Sequence, residues 1–572
     1  MAIKIQQREI PDYDKSAWPV NVPEVIRNIY ASRKCSDPKG VDLRPNHLIH
    51  WKELGGIGKA AKVIGKAILN QESITISGDY DCDGATGSGV LYRGLRLLGA
   101  HNVRYIVPNR FVHGYGLSPE LVDDMDTTTQ LIVTVDSGVS SVDGVKRAKE
   151  LGRKVVITDH HLQGDVLPDA DALVNPNVIG DPFPSKALAG VGVAFYVMLA
   201  TRAWLQSVSP PEKAYPDLAE LLDLVALGTI ADLVPLDHNN RILVAMGLRR
   251  IRAGRVSPGL RALIEKAGKR LEELTATDFA FAVGPRLNAA GRMEDMTIGI
   301  QALISTSPDE IDQYVDMLES INDSRKERQQ EMINEAEAAL VETGGSDTGR
   351  FGVVLYRPDW HSGIVGLVAS KVKDAVYRPV VALAPAEVGS TEIRGSCRSI
   401  EGFHLRDALA LVDVRNPGLM KKFGGHAMAA GLSLHADNVE RFKVEFDKVA
   451  EELLTEDLLN ATLTTDGPLP VGHLTTEFAD LLNFYGPWGQ GFPMPLFENE
   501  FIVEEATVLK EKHLRLTLID PRDGASIKGI YFNAPEHNLP ERVRVVYELN
   551  VNVYKQWRNP QLMIRHIEYP SQ

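Results

Sequence analysis

One apolar, strand-like run after another in this chain ends at an aspartate: SITIS leads to Asp79, Asp81 and Asp83, LIVTV to Asp136, and KVVIT to Asp159. Between these runs, from about residue 70 to 165, lie Gly- or Asp-rich loops and helix-like segments. That alternation spells β/α units around a parallel sheet. In such a sheet the carboxyl ends of the strands share one edge, so loops distant in sequence converge there over a crevice. Carboxylates gathered on one edge repel strongly in a partly desolvated cleft unless cations lie among them. His160 and His161 directly follow Asp159 and add imidazole nitrogen to the cluster. The pattern points to a metal site.

Oxygen-rich ligands with one or two imidazoles suit manganese or magnesium better than a structural zinc, which favours thiolates or several histidines. Manganese is the first choice. Two such ions sharing a carboxylate lie ~3.5 to 4 Å apart, a spacing suited to in-line attack of water on phosphorus. The chemistry implied is phosphoester hydrolysis. An Asp-Gly turn or a calcium loop is the plainer reading of residues 79–84. The calcium version needs a glutamate at the twelfth loop position, whereas this stretch runs into GATGSGVLYRGL, a helix start.

The net charge of −14 opposes nucleic-acid binding at first sight, since phosphate contact usually leaves a basic footprint. Several of the acids are the proposed metal ligands, however, and bound cations reverse the local potential. Any DNA contact is then a local groove. The three cysteines, Cys35, Cys82 and Cys397, have no metal-type spacing and imply a reducing compartment. The opening MAIKIQQREIPDYD lacks a basic segment followed by an apolar core, and no apolar run reaches the ~18 residues of a membrane span. A cytoplasmic location with no membrane association is expected.

At 572 residues the chain has room for three or four domains. Residues 1–45 contain scattered prolines without a sustained period and read as an irregular arm. VRYIVP supplies a further strand, and AELLDLVALGTIADLVPL a mostly apolar helix up to Asp232. Ser307, Pro308 and Glu310 make an N-cap, a first-turn proline and a capping-box acid. Ile311, Val315, Leu318 and Ile321 continue at helical spacing, and Gly344 and Gly345 mark a stop. The intervening SRKERQQEMINEAEAA is almost wholly polar and suits a helix bridging domains rather than filling a core. RFGVVLY opens a second α/β unit. From about residue 500, period-two runs such as Leu514, Leu516 and Leu518 or Leu549, Val551 and Val553, with Asn-Pro and Asp-Gly turns, read as a small β-barrel or sandwich.

GDYDCDG at 78–84, Asp136 in VTVDSG, TDHH at 158–161 and GTIADLVP at 228–235 resemble the four metal-site motifs of the DHH phosphoesterase superfamily. NAAGRMED at 288–295, RPDWHSGIVG at 357–366 and GGHAMAAG at 424–431 narrow the resemblance to its bacterial single-strand-specific exonucleases. The match runs in motif order from about residue 40 to the C-terminus. It implies a parallel-sheet DHH domain at 46–305, a connecting helix at 306–345, a DHH-associated α/β domain at 346–456 and an oligonucleotide-binding (OB-fold) barrel at 457–572.

The resemblance also implies roles. Asp81 and Asp136 hold one ion, while Asp83, Asp136, His160 and Asp232 hold the other, with Asp136 as the bridge. Asp79 belongs to the same metal set, Asp159 orients neighbours, and His161 protonates the leaving oxygen or stabilises phosphoryl charge. His361 and His426 sit in Gly-rich stretches where backbone N–H groups and a following helix N-terminus favour an anion. Arg110, Ser396 and Arg398 are implied to grip a terminal 5′-phosphate, with Arg292 nearer the scissile group and Tyr115 stacking on a base. Lys555, Trp557 and Arg558 lie among interleaved basic and aromatic residues suited to strand binding on the barrel.

The activity implied is 5′-to-3′ degradation of single-stranded DNA to 5′-mononucleotides, in repair and recombination. The implied partners are a single-stranded-DNA-binding protein and a RecQ-type helicase, with the enzyme a monomer. A hydrolase of nano-oligonucleotides, cyclic dinucleotides or pyrophosphate would share the first four motifs but not need the barrel. A non-catalytic replication scaffold would not need the ligand set, which is intact here.

Overall fold

The computed structural model describes residues 3–109, 113–342, 351–554 and 557–569. Arg110, Gly344, Gly345 and Lys555 lie outside the described residues. The chain divides into a larger unit of Ile5–Asn288, Met296–Val315 and Thr464–Gln572, and a smaller one of Met1–Lys4, Ala289–Asp295 and Asp316–Leu463.

After a first strand, β1 (Ile3–Gln7), the larger unit builds a parallel sheet from β2 (Ile74–Ser77), β3 (Val103–Ile106), β4 (Leu131–Thr134), β5 (Lys154–Thr158) and β6 (Ala172–Val174). The spatial order is β3-β2-β4-β5-β6. Every residue of β2 and β4 is buried, which explains why these runs read as continuous rather than alternating. From β2 the chain crosses to β3 on one side and then returns to β4 on the other. The β2/β4 boundary is therefore a topological switch point, where a crevice opens beyond the carboxyl ends. The loops after those two strands carry Asp79, Asp81 and Asp136, and Asp83 stands in the first turn of the helix that follows β2.

The helix Cys82–Leu97 follows β2 and lies against the helices Gly190–Val208 and Leu222–Ala231. Gly190–Val208 is long and apolar enough to cross a membrane by length and composition, although Thr201 and Arg202 interrupt its apolar run. It is largely buried inside this unit, as a core helix is.

The arm requires correction. The helix Glu24–Ala31 buries Ile26, Ile29 and Tyr30, and the Tyr30 ring meets Trp18, Tyr485, Trp488 and Phe492 edge-on. Arg33 pairs with Asp466 through both oxygens, at 2.6 and 2.9 Å. Its apolar partners come from the other end of the chain, so no local periodicity announces them.

In the smaller unit, β7 (Val353–Tyr356) and β8 (Val380–Pro385) are parallel, while β9 (Glu392–Arg398), β10 (Met420–Gly425) and β11 (Ala429–His435) join antiparallel in the order β10-β11-β9-β8-β7. The helix Pro308–Glu342 starts at the expected cap position, but its polar stretch is not a bare bridge. Met332 and Ala336 are fully buried with Trp360, Ile364, Val368 and Val380, a narrow apolar stripe that the surrounding charges mask in sequence.

After β12 (Ala461–Thr465), strands β13 (Phe497–Leu509), β14 (His513–Ile519), β15 (Ser526–Tyr531), β16 (Arg542–Tyr554) and β17 (Trp557–Glu568) close a barrel in the order β13-β14-β15-β17-β16. Leu514, Leu516, Leu518, Leu549 and Leu562 fill its interior, as their alternation requires. The α/β class with a parallel-sheet domain, a long helix, a second α/β domain and a C-terminal barrel agrees with the expectation.

Candidate metal centre

The β2 loop turns tightly into a helix. Asp81 caps it by accepting the Gly84 N–H at 2.9 Å. A side chain at Gly84 would place its Cβ 2.6 Å from the Asp79 carbonyl, so the turn requires glycine there. Asp83, in the first helical turn, is fully enclosed: its two oxygens accept the Gly190 N–H at 2.6 Å and the Val191 N–H at 2.9 Å. The positive end of the Gly190–Val208 helix thus faces this carboxylate. Asp136 holds a left-handed backbone (φ 60°), an unfavourable conformation that aims its carboxylate back over the sheet edge.

His160 Nε2 lies 3.0 Å from Asp136 Oδ1, 3.6 Å from Asp232 Oδ2 and 3.9 Å from Asp83 Oδ2. Asp136 Oδ1 and His160 Nε2 are both buried, yet the 3.0 Å contact lacks hydrogen-bond alignment and leaves both without a partner. Burying two such atoms unpaired is costly unless a cation takes up their lone pairs. Three sets of donors converge, each with ligand atoms within 4.8 Å of one another: Asp79, Asp81 and Asp136; Asp83, His160 and Asp232; and Asp136, His160 and His161. Asp136 is in two of the three. Hard oxygens with one or two imidazoles fit manganese or magnesium.

The charges agree with that fit. Burial, reinforced by Asp81, pushes the Asp79 carboxyl up to about 8 and that of Asp83 up to about 7. Asp136 and Asp232 are driven well above the usual carboxylate range by burial and by the neighbouring Asp83. His160 is lowered to about 4 by burial and by the charge of His161, so it offers a neutral ring. These carboxyls are hard to ionise together without positive charge among them.

Asp159 behaves differently. Burial alone would raise it, but its bonds outweigh that and hold it below the usual value. It accepts the N–H groups of Val139, His160 and His161 and the His161 ring nitrogen at 2.8 Å. It therefore orients His161 rather than facing the metal sets. Burial disfavours the charged His161 ring, yet the bond and charge of Asp159 raise it overall. The Tyr115 hydroxyl donates to the Asp136 carbonyl at 3.1 Å and lies 3.0 Å from His161 Nδ1. Tyr115 is 48 % exposed, so its ring also has a face towards solvent.

Sequence reasoning missed several supports. Asn175 and Asn177 donate to the backbone carbonyls of His161 and His160 and fix both rings' loop. They lie just past β6, on the same sheet edge, and that position was the available signal. Asn288, which accepts the Cys82 N–H at 2.8 Å, opens the NAAGRMED motif but was given no role, and Gly190 had no signal.

The smaller unit, taken by itself, gathers a second group. Ser396 and Arg398 lie on β9 with Arg398 Nη1 3.0 Å from Ser396 Oγ. A Cβ at Gly366, in the first turn of the helix Val365–Val376, would fall 2.9 Å from Ser396 Oγ and 3.1 Å from Arg398 Nη2. Guanidinium, hydroxyl and helix N-terminus thus share one place. His361 Nδ1 accepts the Gly363 N–H at 3.1 Å, and Arg292 lies beside the Gly363 carbonyl at 3.5 Å. His426 needs correction: it sits exposed at the β10–β11 hairpin tip, and no helix follows it. Glycines there serve the turn, with Gly425 at φ 140°.

On the barrel, Trp557 is 74 % exposed. Arg558 instead forks onto Asp480 at 2.7 and 2.9 Å, so it is not the unpaired phosphate contact expected. The nearby helix Thr476–Phe484 supplies that acid.

A carboxylate and imidazole cluster at the switch point of a parallel sheet, with an α/β module and a closed barrel after it, defines a DHH-type phosphoesterase architecture. The DHH family, N-terminal domain, matches residues 73–229, the DHHA1 domain 349–452, and the RecJ OB domain 465–566. The chain belongs to the RecJ family. It is 44 % identical over 576 residues to the single-stranded-DNA-specific exonuclease RecJ of Escherichia coli K12, covering 99 % of both chains. The corresponding Haemophilus influenzae protein is 41 % identical, again over 99 % of each. The crystal structure of Thermus thermophilus RecJ in complex with Mn2+ matches with a TM-score of 0.81 at 28 % identity, covering 100 % of this chain and 80 % of that one.

Proposed function

We propose that this chain is a metal-dependent, single-stranded-DNA-specific exonuclease that works from the 5′ end and releases 5′-mononucleotides. The observation that carries the reading is the convergence of Asp79, Asp81, Asp83, Asp136, His160 and Asp232 on one sheet edge, with two buried donor atoms unpaired. The relatives named RecJ are single-stranded-DNA-specific exonucleases, and RecJ from Thermus thermophilus is crystallised with Mn2+ and with Mg2+.

Two such cations, manganese or magnesium, would supply Lewis-acid stabilisation of the phosphoryl oxygens and lower the pKa of an attacking water. Asp79 and Asp81 would hold one ion, Asp83, His160 and Asp232 the other, and Asp136 would serve both. Asp159 fixes His161 in place, and His161, with its side chain 44 % exposed at the cluster, protonates the leaving oxygen. Ser396 and Arg398 grip the terminal phosphate, assisted by the polar groups around His361 and Arg292. The barrel carries the rest of the strand, with Trp557 offered as a stacking surface. A barrel that a dinucleotide hydrolase does not need and a ligand set that a scaffold does not need both favour this reading. A cytoplasmic monomer acting beside a single-stranded-DNA-binding protein and a RecQ-type helicase completes it.

Arg398→Ala is expected to weaken the preference for 5′-phosphorylated over 5′-hydroxyl ends by about 10-fold or more, since a charged hydrogen bond contributes ~1.5 to 3 kcal/mol. End-labelled single strands measure it. Equal degradation of strands blocked at the 5′ end, or attack from the 3′ end, overturns the polarity. Manganese at about 100 times its Kd is expected to stabilise the fold by ~2.7 kcal/mol per site. Thermal unfolding with and without the ion reads this directly, and His160→Ala together with Asp232→Ala should remove most of the gain. An unchanged Tm in the unsubstituted protein at saturating manganese would contradict the assignment.

A further inference from the structure

A segment of the larger unit departs from the acidic character of the whole. Residues 249–270 carry Arg249, Arg250, Arg252, Arg255, Arg261, Lys266, Lys269 and Arg270 against one acid, Glu265, in a chain of net charge −14. The stretch comprises the end of the helix His238–Arg252, a turn, the helix Pro258–Lys266 and the residues after it. Arg249, Arg255, Lys266, Lys269 and Arg270 are exposed.

The segment folds back on itself. Arg252 Nε donates to the Leu274 carbonyl at 2.8 Å, and Arg261 donates to the Gly254 carbonyl at 3.0 Å. Those bonds draw the two helix ends and the residue 270–274 turn together. Cations at a helix C-terminus are ordinary, because they offset the helix dipole. That accounts for Arg249, Arg250 and Arg252, but not for Arg255 in the turn or for Lys269 and Arg270 beyond the second helix. Nearby acids neutralise the surface only in part. Arg261 meets Glu265 at 3.7 Å, Lys269 meets Asp278 at 2.8 Å, and Arg270 meets Glu273 at 3.5 Å, while Arg249 and Arg252 bond to backbone carbonyls.

The place of the segment in the unit matters too. Glu273, three residues past the segment, lies within electrostatic reach of Arg558 on β17. The segment thus ends near the hairpin that exposes Trp557, within the same unit.

We propose that residues 249–270 form an exosite for the phosphate backbone of the single-stranded substrate, holding strand that lies outside the metal cleft. The proposal rests on the exonuclease reading above. Clustered Arg and Lys that outnumber the acids around them attract a polyanion through counterion release, independently of base sequence. A stacking residue at the adjacent hairpin distinguishes a strand from an acidic peptide, which has no bases to stack.

The test is Arg255, Lys266 and Arg270 changed together to Gln, in the full chain, with binding measured under chelator so that no strand is consumed. If each contacts one phosphate, the log–log salt slope for a long single strand falls by about 2, and affinity at 0.1 M salt falls roughly 100-fold. Affinity for a dinucleotide, too short to reach the exosite, stays as it was. Arg255→Lys with Arg270→Lys retains charge and should keep the slope, which separates phosphate contact from a folding defect. An unchanged slope and long-strand affinity in the triple variant overturn the proposal, even if that variant loses binding to poly-glutamate. Failure of the unsubstituted protein to cut any single strand with manganese would instead strike the exonuclease reading.

Discussion

Asp136→Ala is expected to abolish turnover, with a loss of at least about 10³-fold in kcat while the fold persists. The side chain converges with Asp79 and Asp81 in one donor set and lies 3.0 Å from His160 of the other, so its removal disturbs both proposed cation positions at once. Losing several kcal/mol of charge stabilisation translates at about 1.36 kcal/mol per decade. The fold should survive because the substitution also removes a buried carboxyl that burial and Asp83 make hard to ionise. Single-turnover cleavage of a labelled strand at saturating manganese, with circular dichroism as the folding check, decides the matter. Near-normal turnover in a folded variant would end the two-cation assignment.

Gly190→Ala is expected to damage activity from a residue with no chemistry of its own. A Cβ at this position would stand 2.6 Å from the Asp136 Cβ and 2.7 Å from its Oδ1. Either Asp136 moves or the start of the Gly190–Val208 helix withdraws from Asp83, which both Gly190 and Val191 bond. A displacement of ~1 Å in a reacting constellation costs about 100-fold in rate. Overpacking adds a stability loss of ~1 to 3 kcal/mol. Turnover and Tm measured on the same preparation test both, and wild-type values for the pair would show that the crowding is relieved without consequence.

How much of this was legible in the sequence follows from the range over which each signal acts. The strand-end aspartates were readable because β2, β4 and β5 are short, buried and parallel, so each run ends where its loop begins. The barrel was readable because alternation is a local property of each strand. The arm was misread because Tyr30 and Arg33 find their partners at Tyr485 and Asp466, far beyond any window in which periodicity is visible. Met332 and Ala336 were hidden for a different reason: they form a narrow apolar stripe, with Ile333 and Leu340 partly buried beside it, on a stretch whose other faces are charged. The pairing of Arg558 with Asp480 was illegible too, since composition reveals a basic residue but not whether an acid already occupies it.

The barrel has one further consequence. Its five strands close upon themselves, so free strand edges lie outside the closed girdle, as along the two-stranded extension of residues 548–554 with residues 557–560. A polymer lying on the closed part finds no strand edge to pair with and is held there by side chains and loops. Such a hold takes its strength from ring faces and phosphate charge, which every nucleotide possesses, and so tolerates any base order. An enzyme that advances residue by residue along a changing text then meets the same grip at each step.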